Sequence, residues 1–362
     1  MKLRKIAALL LAALCTVSTL TGCASSTESD KEQSSSSKGA TVTLGEVTVG
    51  EGDSSEEEEP EEITGPMKIA VLKGPTGLGI AGMMNEKDNG ELFGNYEFEV
   101  YTSPDEVTGK LINGEIDVAA VPSNVAALLY NKTEGEIIVG AINTLGTLYI
   151  VENGNTINSA SDLAGKTIAM AGQGSVPEYV LQFILDKNGI TDATIEFFPT
   201  HQEAAAAVAS GEYSITLLPE PYVSVATSKI ASLRVALDVA AEWDKYSYQE
   251  EDVPNTLPMG CIVVRKAYLD QKENRFKKFL NEYEYFVETA TEDPALTAEY
   301  AVNYGIMDDA AVAEKAIPNC SIKYVEGSKM MRLMKNFIDI MYEANPDSVG
   351  GKVPDDEFYY IR

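Results

Sequence analysis

The sequence predicts an α/β protein built from two similar lobes. Strand-like and helix-like segments alternate from Lys68 onward, which is typical of α/β folds with largely parallel sheets. Residues 113–123 and 210–220 match at an offset of 97 positions, and each passage reads as a helix end, a strand and a proline that opens the next helix. The folded region of about 300 residues also suits two lobes better than one core.

The individual elements follow from short apolar runs and from helical spacing. Helical spacing of apolar side chains predicts later helices at residues 275–287 and around 331–341. Ten strands are predicted, at residues 69–72, 97–101, 117–121, 137–141, 148–151, 167–171, 194–198, 214–218, 234–239 and 261–264.

The N-terminus reads as an export signal. Residues 1–22 carry three basic residues near the start, then an apolar run without charge, then Leu-Thr-Gly before Cys23. This box resembles the bacterial lipoprotein cleavage box, in which the cysteine becomes the lipidated first residue. Residues 23–66 then form a Ser-, Gly- and Glu-rich segment that predicts a disordered acidic stalk. We therefore expect a protein anchored by lipid to the extracytoplasmic face of the bacterial cell membrane.

Composition excludes several kinds of site. The formal net charge of −28 argues against a nucleic-acid partner. Only one histidine, His201, is present, so a metal site built from histidines is excluded, and no cofactor or catalytic residue is predicted. Cys261 and Cys320 remain in the folded part, where either a disulfide or two buried free thiols is consistent with the sequence.

A glycine-rich loop follows the first predicted strand. Its order G-x-x-G-x-G from Gly74 to Gly79 differs from the dinucleotide fingerprint, and Pro75 removes a backbone donor, so nucleotide binding is disfavoured. An equivalent loop lies at residues 172–177. Ligands bind outside the carboxyl ends of parallel strands, so we expect the two loops to face each other across a cleft. A bulky side chain at Gly77 is then expected to block the ligand while sparing the fold.

Polar residues after equivalent strands supply the candidate ligand contacts. The residues of the two glycine-rich loops either contact the ligand or cap the helices that follow them. Trp243 either stacks on a flat ligand or fills the hinge. A desolvated Glu220 carboxylate favours a ligand with a protonated or hydrogen-bond-donating nitrogen over a bare oxyanion, unless Glu220 only caps the helix at Tyr222. The candidates are Thr76, Gly77, Ser123, Asn124, Asn143, Thr144, Gly174, Ser175, Val176, Glu220, Pro221 and Trp243.

Two motifs connect the chain to a known family. Lys-Gly-Pro-Thr-Gly at residues 73–77 and Ser-Asp-Leu-Ala-Gly-Lys-Thr-Ile-Ala at 161–169 resemble the type II periplasmic-binding-protein fold. Within it, the chain is similar to solute-binding lipoproteins of ABC importers in the nitrate, sulfonate, taurine and thiamine-precursor group. The resemblance implies a first lobe of residues 67–152 and 258–362 and a second lobe of 153–257.

The resemblance also implies the function and its alternatives. It implies a monomer that binds a small polar organic solute and delivers it to an ABC permease. The first alternative is an enzyme of the same fold that acts on a thiamine-pyrimidine-type or small carboxylate substrate. The second alternative is a ligand sensor for a membrane kinase. The lipoprotein box favours a binding protein over the enzyme, because such an enzyme needs no export.

Overall fold

The computed structural model describes residues 64–362, so the predicted signal peptide, Cys23 and nearly all of the stalk lie outside the described part. The strands of this part are β1 (Met67–Leu72), β2 (Tyr96–Tyr101), β3 (Val118–Pro122), β4 (Ile137–Thr144), β5 (Leu148–Asn153), β6 (Thr167–Ala171), β7 (Thr194–Phe198), β8 (Ile215–Pro219), β9 (Leu233–Asp238), β10 (Gly260–Arg265) and β11 (Ile322–Val325).

The helices surround these strands, and short 3₁₀ turns occur at Ala160–Leu163, Ile317–Asn319, Pro346–Val349 and Asp356–Phe358. The α-helices of the described part are α1 (Pro75–Leu78), α2 (Ala81–Asn89), α3 (Pro104–Ile112), α4 (Ser123–Lys132), α5 (Val176–Lys187), α6 (His201–Ala209), α7 (Tyr222–Lys229), α8 (Val239–Asp244), α9 (Lys266–Thr289), α10 (Pro294–Asn303), α11 (Ala310–Ala316) and α12 (Gly327–Ala344).

The strands form two separate sheets with the same internal plan. The first sheet has the order β11-β4-β10-β3-β1-β2, and the second has the order β7-β6-β8-β5-β9. Without β11, the first sheet in reverse order is β2-β1-β3-β10-β4, and these strands correspond in turn to β7-β6-β8-β5-β9 of the second sheet. The predicted repeat is therefore visible in the topology, and α3 and α6 begin 97 positions apart at Pro104 and His201.

The expectation of largely parallel sheets is wrong. Of the nine strand pairs in residues 64–362, four are parallel and five are antiparallel. The antiparallel pairs arise partly because each lobe receives one strand directly from the other lobe. β5 enters the second sheet directly from the first lobe, and β10 enters the first sheet directly from the second, so both run against their central neighbours β8 and β3.

The exchange also corrects the predicted lobe boundary. All of β5 pairs with β8 and β9 in the second sheet, whereas the sequence placed residues up to 152 in the first lobe. The first crossing is thus the short segment 145–147 between β4 and β5. The return runs through residues 245–259 and ends at β10.

All ten predicted strands are present, and β11 is the one that the sequence did not reveal. The predicted helices at residues 275–287 and 331–341 are confirmed as parts of α9 and α12. Both helices bury an apolar stripe against the first sheet or its neighbours, and each large apolar side chain buried in this way contributes about 1.5–3 kcal/mol. Phe276, Phe279 and Tyr283 of α9 are among the largest fully buried side chains.

Cys261 and Cys320 are free thiols, and both are buried. Burial raises the pKa of Cys261 to about 12 and also raises the pKa of Cys320. Of the two alternatives that the sequence left open, the structure supports the buried free thiols.

Candidate functional site

The candidate site lies where the two sheets present equivalent edges. The carboxyl ends of β1 and β3 in the first lobe, and of β6 and β8 in the second, run directly into helices. Helix N-termini leave backbone N–H groups without intrahelical partners, so these edges favour anionic and polar ligand groups. Both crossings, residues 145–147 and 245–259, also meet the sheets at these edges.

In the first lobe, three of the candidate residues form one hydrogen-bonded cluster. The Asn143 side-chain amide donates to the Thr76 carbonyl at 2.9 Å and to the Tyr283 hydroxyl at 3.0 Å. The Thr144 hydroxyl donates to the Asn143 Oδ1 at 3.2 Å. A Cβ added at Gly260 would lie 2.8 Å from that same oxygen, so glycine is needed for this close approach. The cluster ties β4 to the glycine loop and fixes the Asn143 amide.

Gly77 is a packing position, which overturns the expectation that a bulky residue there would spare the fold. Its N–H donates to the Gly74 carbonyl at 3.0 Å, so this donor is already used. An added Cβ would overlap the Leu72 carbonyl oxygen and lie 3.1 Å from Ile306 Cγ2. The glycine lets the turn pack directly onto β1, and a larger side chain would have to displace backbone.

Ser123 and Asn124 open α4 but have different surroundings. Ser123 is fully buried, and its N–H donates to the Met259 carbonyl at 3.2 Å. Within the described part of the chain its hydroxyl has no nitrogen or oxygen partner and lies beside the Cys261 thiol, which is only a weak hydrogen-bonding group. Asn124 instead donates its amide to the Ser348 carbonyl at 3.3 Å. An unpaired buried hydroxyl at a helix N-terminus is a group whose partner a ligand can supply. Asn124 serves mainly to hold the C-terminal segment.

The glycine loop of the second lobe has internal partners. The Gly174 N–H donates to the Glu178 carboxylate at 2.6 Å, and the Ser175 N–H and hydroxyl both donate to the Gly172 carbonyl. Gly174 has a φ of +73°, and an added Cβ there would meet nothing within 4 Å. Val176, the first residue of α5, is buried. Space is therefore free beside Gly174, whereas the equivalent Gly77 of the first lobe is packed against β1.

Glu220 lies after β8, at the position equivalent to Ser123. It is 2% exposed, and its carboxylate accepts hydrogen bonds from the Ser224 N–H at 3.1 Å and the Ser224 hydroxyl at 3.0 Å. These contacts match the capping alternative. Burial nevertheless raises the pKa of Glu220 above its ordinary value, and hydrogen bonds from Ser224 and from the Asn319 side chain oppose this rise. Pro221 follows as the residue that precedes α7.

His201 is the first residue of α6 and was not among the predicted site residues. Its ring lies 4.9 Å from the Tyr222 ring, with a tilt of 35° between the planes. Its Nδ1 is buried without a hydrogen-bond partner in the part described, and burial lowers the pKa of the imidazole. The internal repeat could have indicated this position, because His201 is equivalent to Pro104, the first residue of α3 at the edge of the first sheet.

The sequence matches one family over more than half of its length. Residues 92–284 match the model described as ABC transporter, phosphonate, periplasmic substrate-binding protein. The chain belongs to this family. A comparison with curated proteins gives no match.

Solved structures with the fold of this phosphonate-family binding protein include three informative examples. An ABC transporter from Parabacteroides distasonis is 24% identical, with 82% of this chain and 99% of that chain covered and a TM-score of 0.68. The periplasmic aliphatic sulphonate binding protein SsuA from Escherichia coli is 16% identical, with 82% and 92% covered and a TM-score of 0.64. The nitrate-binding protein NrtA from Synechocystis is 14% identical, with 75% of each chain covered and a TM-score of 0.50.

These comparisons confirm the predicted family group and the predicted two-lobe periplasmic-binding-protein fold. As a member of this family, the chain is the substrate-binding component of an ABC import system and is not an enzyme. Within residues 64–362, no group of His, Cys, Asp and Glu is arranged to hold a metal ion. That same region contains no helix whose length and apolar character would let it cross a membrane.

The two lobes of the binding protein also touch each other directly. The Tyr149 hydroxyl on β5 donates to the Asn319 carbonyl at 3.2 Å, and the Asn345 amide donates to the Tyr179 hydroxyl on α5 at 2.8 Å. Asn319 and Asn345 belong to the segments that follow β10 and return to the first lobe. These bonds connect the walls of the cleft.

Trp243 is fully buried among aromatic side chains. Its ring centroid lies 4.8 Å from that of Phe183 on α5 and 6.2 Å from that of Phe337 on α12. Phe183 belongs to the second lobe and Phe337 packs with the first, so the indole fills the junction between them. This packing matches the hinge alternative, because no ring face of Trp243 is open to solvent.

Proposed function

We propose that the protein is the lipid-anchored receptor of an ABC importer, which closes its two lobes on a small organic solute and delivers it to the permease. The observation that carries this proposal is the pair of unlike polar groups at equivalent strand ends. A buried, unpaired Ser123 hydroxyl lies at one helix N-terminus, and a buried Glu220 carboxylate lies beside the other. The Leu-Thr-Gly-Cys box at Cys23 supports the anchor, and the family supports the permease as partner.

The solute that best fits this pair carries an oxyanion and a protonated nitrogen. The N-terminus of α4 and the Ser123 hydroxyl offer donors to an oxyanion, and the phosphonates named in the family description carry such a group. The Glu220 carboxylate has about four acceptor positions; Ser224 uses two of them, and the Asn319 side chain also donates to the carboxylate. A ligand ammonium group would supply the cation that this buried carboxylate lacks. We therefore assign the solute to the amino-substituted organic oxyanions, with aminoalkylphosphonates as the leading class.

The proposal is tested by titration calorimetry on the mature protein. The panel is an aminoalkylphosphonate, the alkylphosphonate of equal length without nitrogen, the matching alkylsulfonate and nitrate. We expect tight binding of the first compound only. Glu220→Gln should weaken that binding by about 1.5–3 kcal/mol, the scale of a charge-assisted hydrogen bond.

The matched control is Glu203→Gln, which neutralises an exposed carboxylate in the first turn of α6 in the same lobe. This control should leave the affinity unchanged. Equal binding of nitrate or of the plain alkylsulfonate would refute the assigned solute class. An affinity that Glu220→Gln does not alter would leave Glu220 as a helix cap only.

A further inference from the structure

A second surface on the first lobe has no role in the cleft. It is a groove between α2, α9 and α10, lined by aromatic and apolar side chains. Tyr285 is 62% exposed and Leu296 is 42% exposed on its walls. At its floor, a Cβ added at Gly82 would lie 3.0 Å from Phe286 Cδ1, so the glycine keeps the floor open. Exposed large apolar side chains that cluster in one groove mark an interaction surface.

The rim of this groove is acidic. Glu86, Glu292 and Asp293 line it, and no lysine or arginine does so within the described part of the chain. Glu86 also lies close enough to Glu91 that its hydrogen bond and its charge raise the pKa of Glu91. Such a rim attracts a cationic partner and repels the anionic headgroups of a membrane surface.

The groove is mechanically connected to the ligand cleft. Tyr283 on the buried face of α9 bonds the Asn143 amide, and Phe286 on the next turn lines the groove. On the other side, α10 packs against α11, and α11 contacts α7 of the second lobe. A partner seated in the groove therefore contacts α9, which bonds a residue at the cleft, and α10, which is connected to the opposite lobe through α11, so its affinity can depend on lobe closure.

We propose that this groove docks a cationic segment with apolar side chains from the extracytoplasmic face of the ABC permease. The aromatic floor takes the apolar side chains, and the carboxylates on the rim pair with lysine or arginine of the segment. This inference rests on the proposed function as an import receptor. It adds the surface and the chemistry of the contact with the permease.

The test is site-specific photo-crosslinking of the full-length protein in its native membrane. The photo-reactive residue p-benzoyl-phenylalanine replaces Tyr285 in one variant. In the control variant it replaces Tyr248, which is 41% exposed on the return segment outside the groove. We expect the variant at position 285 to form an adduct that peptide mass spectrometry identifies as an ABC permease subunit, and the variant at position 248 to form none.

Charge is tested in the same assay. Glu86→Gln with Glu292→Gln should reduce the adduct at position 285 by about threefold for each carboxylate removed. The pair Glu136→Gln with Glu343→Gln removes the same charge from exposed positions outside the groove and should leave the adduct unchanged. Equal adducts at positions 285 and 248, or equal losses in the two charge variants, would overturn the groove as a docking site.

A lysine-reactive crosslinker applied to the unmodified protein separates the two proposals. If it captures the permease while position 285 does not, the groove assignment is wrong and the import function stands. If neither captures a permease subunit, the import function fails and the docking site fails with it.

Discussion

The two glycine loops occupy equivalent places in the repeat and are packed in opposite ways. In the first lobe, Gly77 lies against the Leu72 carbonyl and Ile306, and an added side chain has no space. In the second lobe, a Cβ added at Gly174 would meet nothing within 4 Å, and glycine is favoured there by its φ of +73°. A glycine pattern therefore identifies a turn at a strand end. Whether the turn faces a ligand or the core depends on what packs behind it.

The residues after β3 and β8 show the same divergence. Ser123 has a hydroxyl without a partner, whereas the Glu220 carboxylate is held by two bonds from Ser224. The first wall thus offers a free neutral donor, and the second offers a fixed acceptor. A duplicated fold that keeps its topology while changing these groups gains a cleft with two chemically different sides.

The largest effect is expected from a substitution in the packed loop. Gly77→Ala should lower the free energy of unfolding by about 3 kcal/mol or more, because the methyl group displaces backbone at β1. Gly174→Ala should lower it by only about 1 kcal/mol, the strain of a left-handed backbone conformation. Urea unfolding of both variants measures the difference. Equal losses would show that the two loops are not packed differently.

A smaller effect is expected from Ser123→Ala. The hydroxyl has only a weak contact with the Cys261 thiol to lose, so the free energy of unfolding should change little. The affinity for the solute should fall by about 1 kcal/mol, the value of one hydrogen bond. The matched change in the other lobe, Ser224→Ala, removes a made bond to a buried carboxylate and should destabilise the fold by about 1–3 kcal/mol. Loss of stability in Ser123→Ala would show that its hydroxyl is bonded within the fold.

Much of the fold follows from local patterns in the sequence. Short apolar runs located ten strands, and the offset of 97 positions revealed that β3 and β8 are equivalent. Apolar runs carry no information on strand direction, so the antiparallel entry of β5 and β10 was missed. β11 has only four residues and is held mainly by its contact with β4, which no local pattern reveals.

The sequence indicated which polar residues lie near strand ends better than it indicated what each side chain contacts. Thr76, Asn143 and Thr144 were expected on the same side of the first lobe, and hydrogen bonds join them in the structure. The commitment of Asn124 to the Ser348 carbonyl, and the packing of Gly77, depend on segments distant in sequence. Pattern reasoning identifies polar groups at an edge, but tertiary contacts decide which of them remain free for a ligand.

The smallest effect concerns the pH dependence of stability, and it tests whether the Glu220 carboxylate lacks a cation in the ligand-free protein. Burial raises its pKa in the folded state above the value of about 4.5 expected in the unfolded chain. As pH rises through the window between these two values, the unfolded chain releases its proton first. The free energy of unfolding therefore falls across that window and stays lower above it.

Glu220→Gln cannot ionise, so its free energy of unfolding should lack this fall. The stability of the variant relative to the wild type should be constant below about pH 4.5 and should increase as pH rises above that value. Urea unfolding from about pH 4 to about pH 8 measures the difference, with Glu203→Gln as the exposed control that should show no such increase. A relative stability that does not change with pH would mean that the Ser224 bonds fully compensate the burial of the carboxylate. The second wall would then need no cation, and the solute would need no nitrogen on that side.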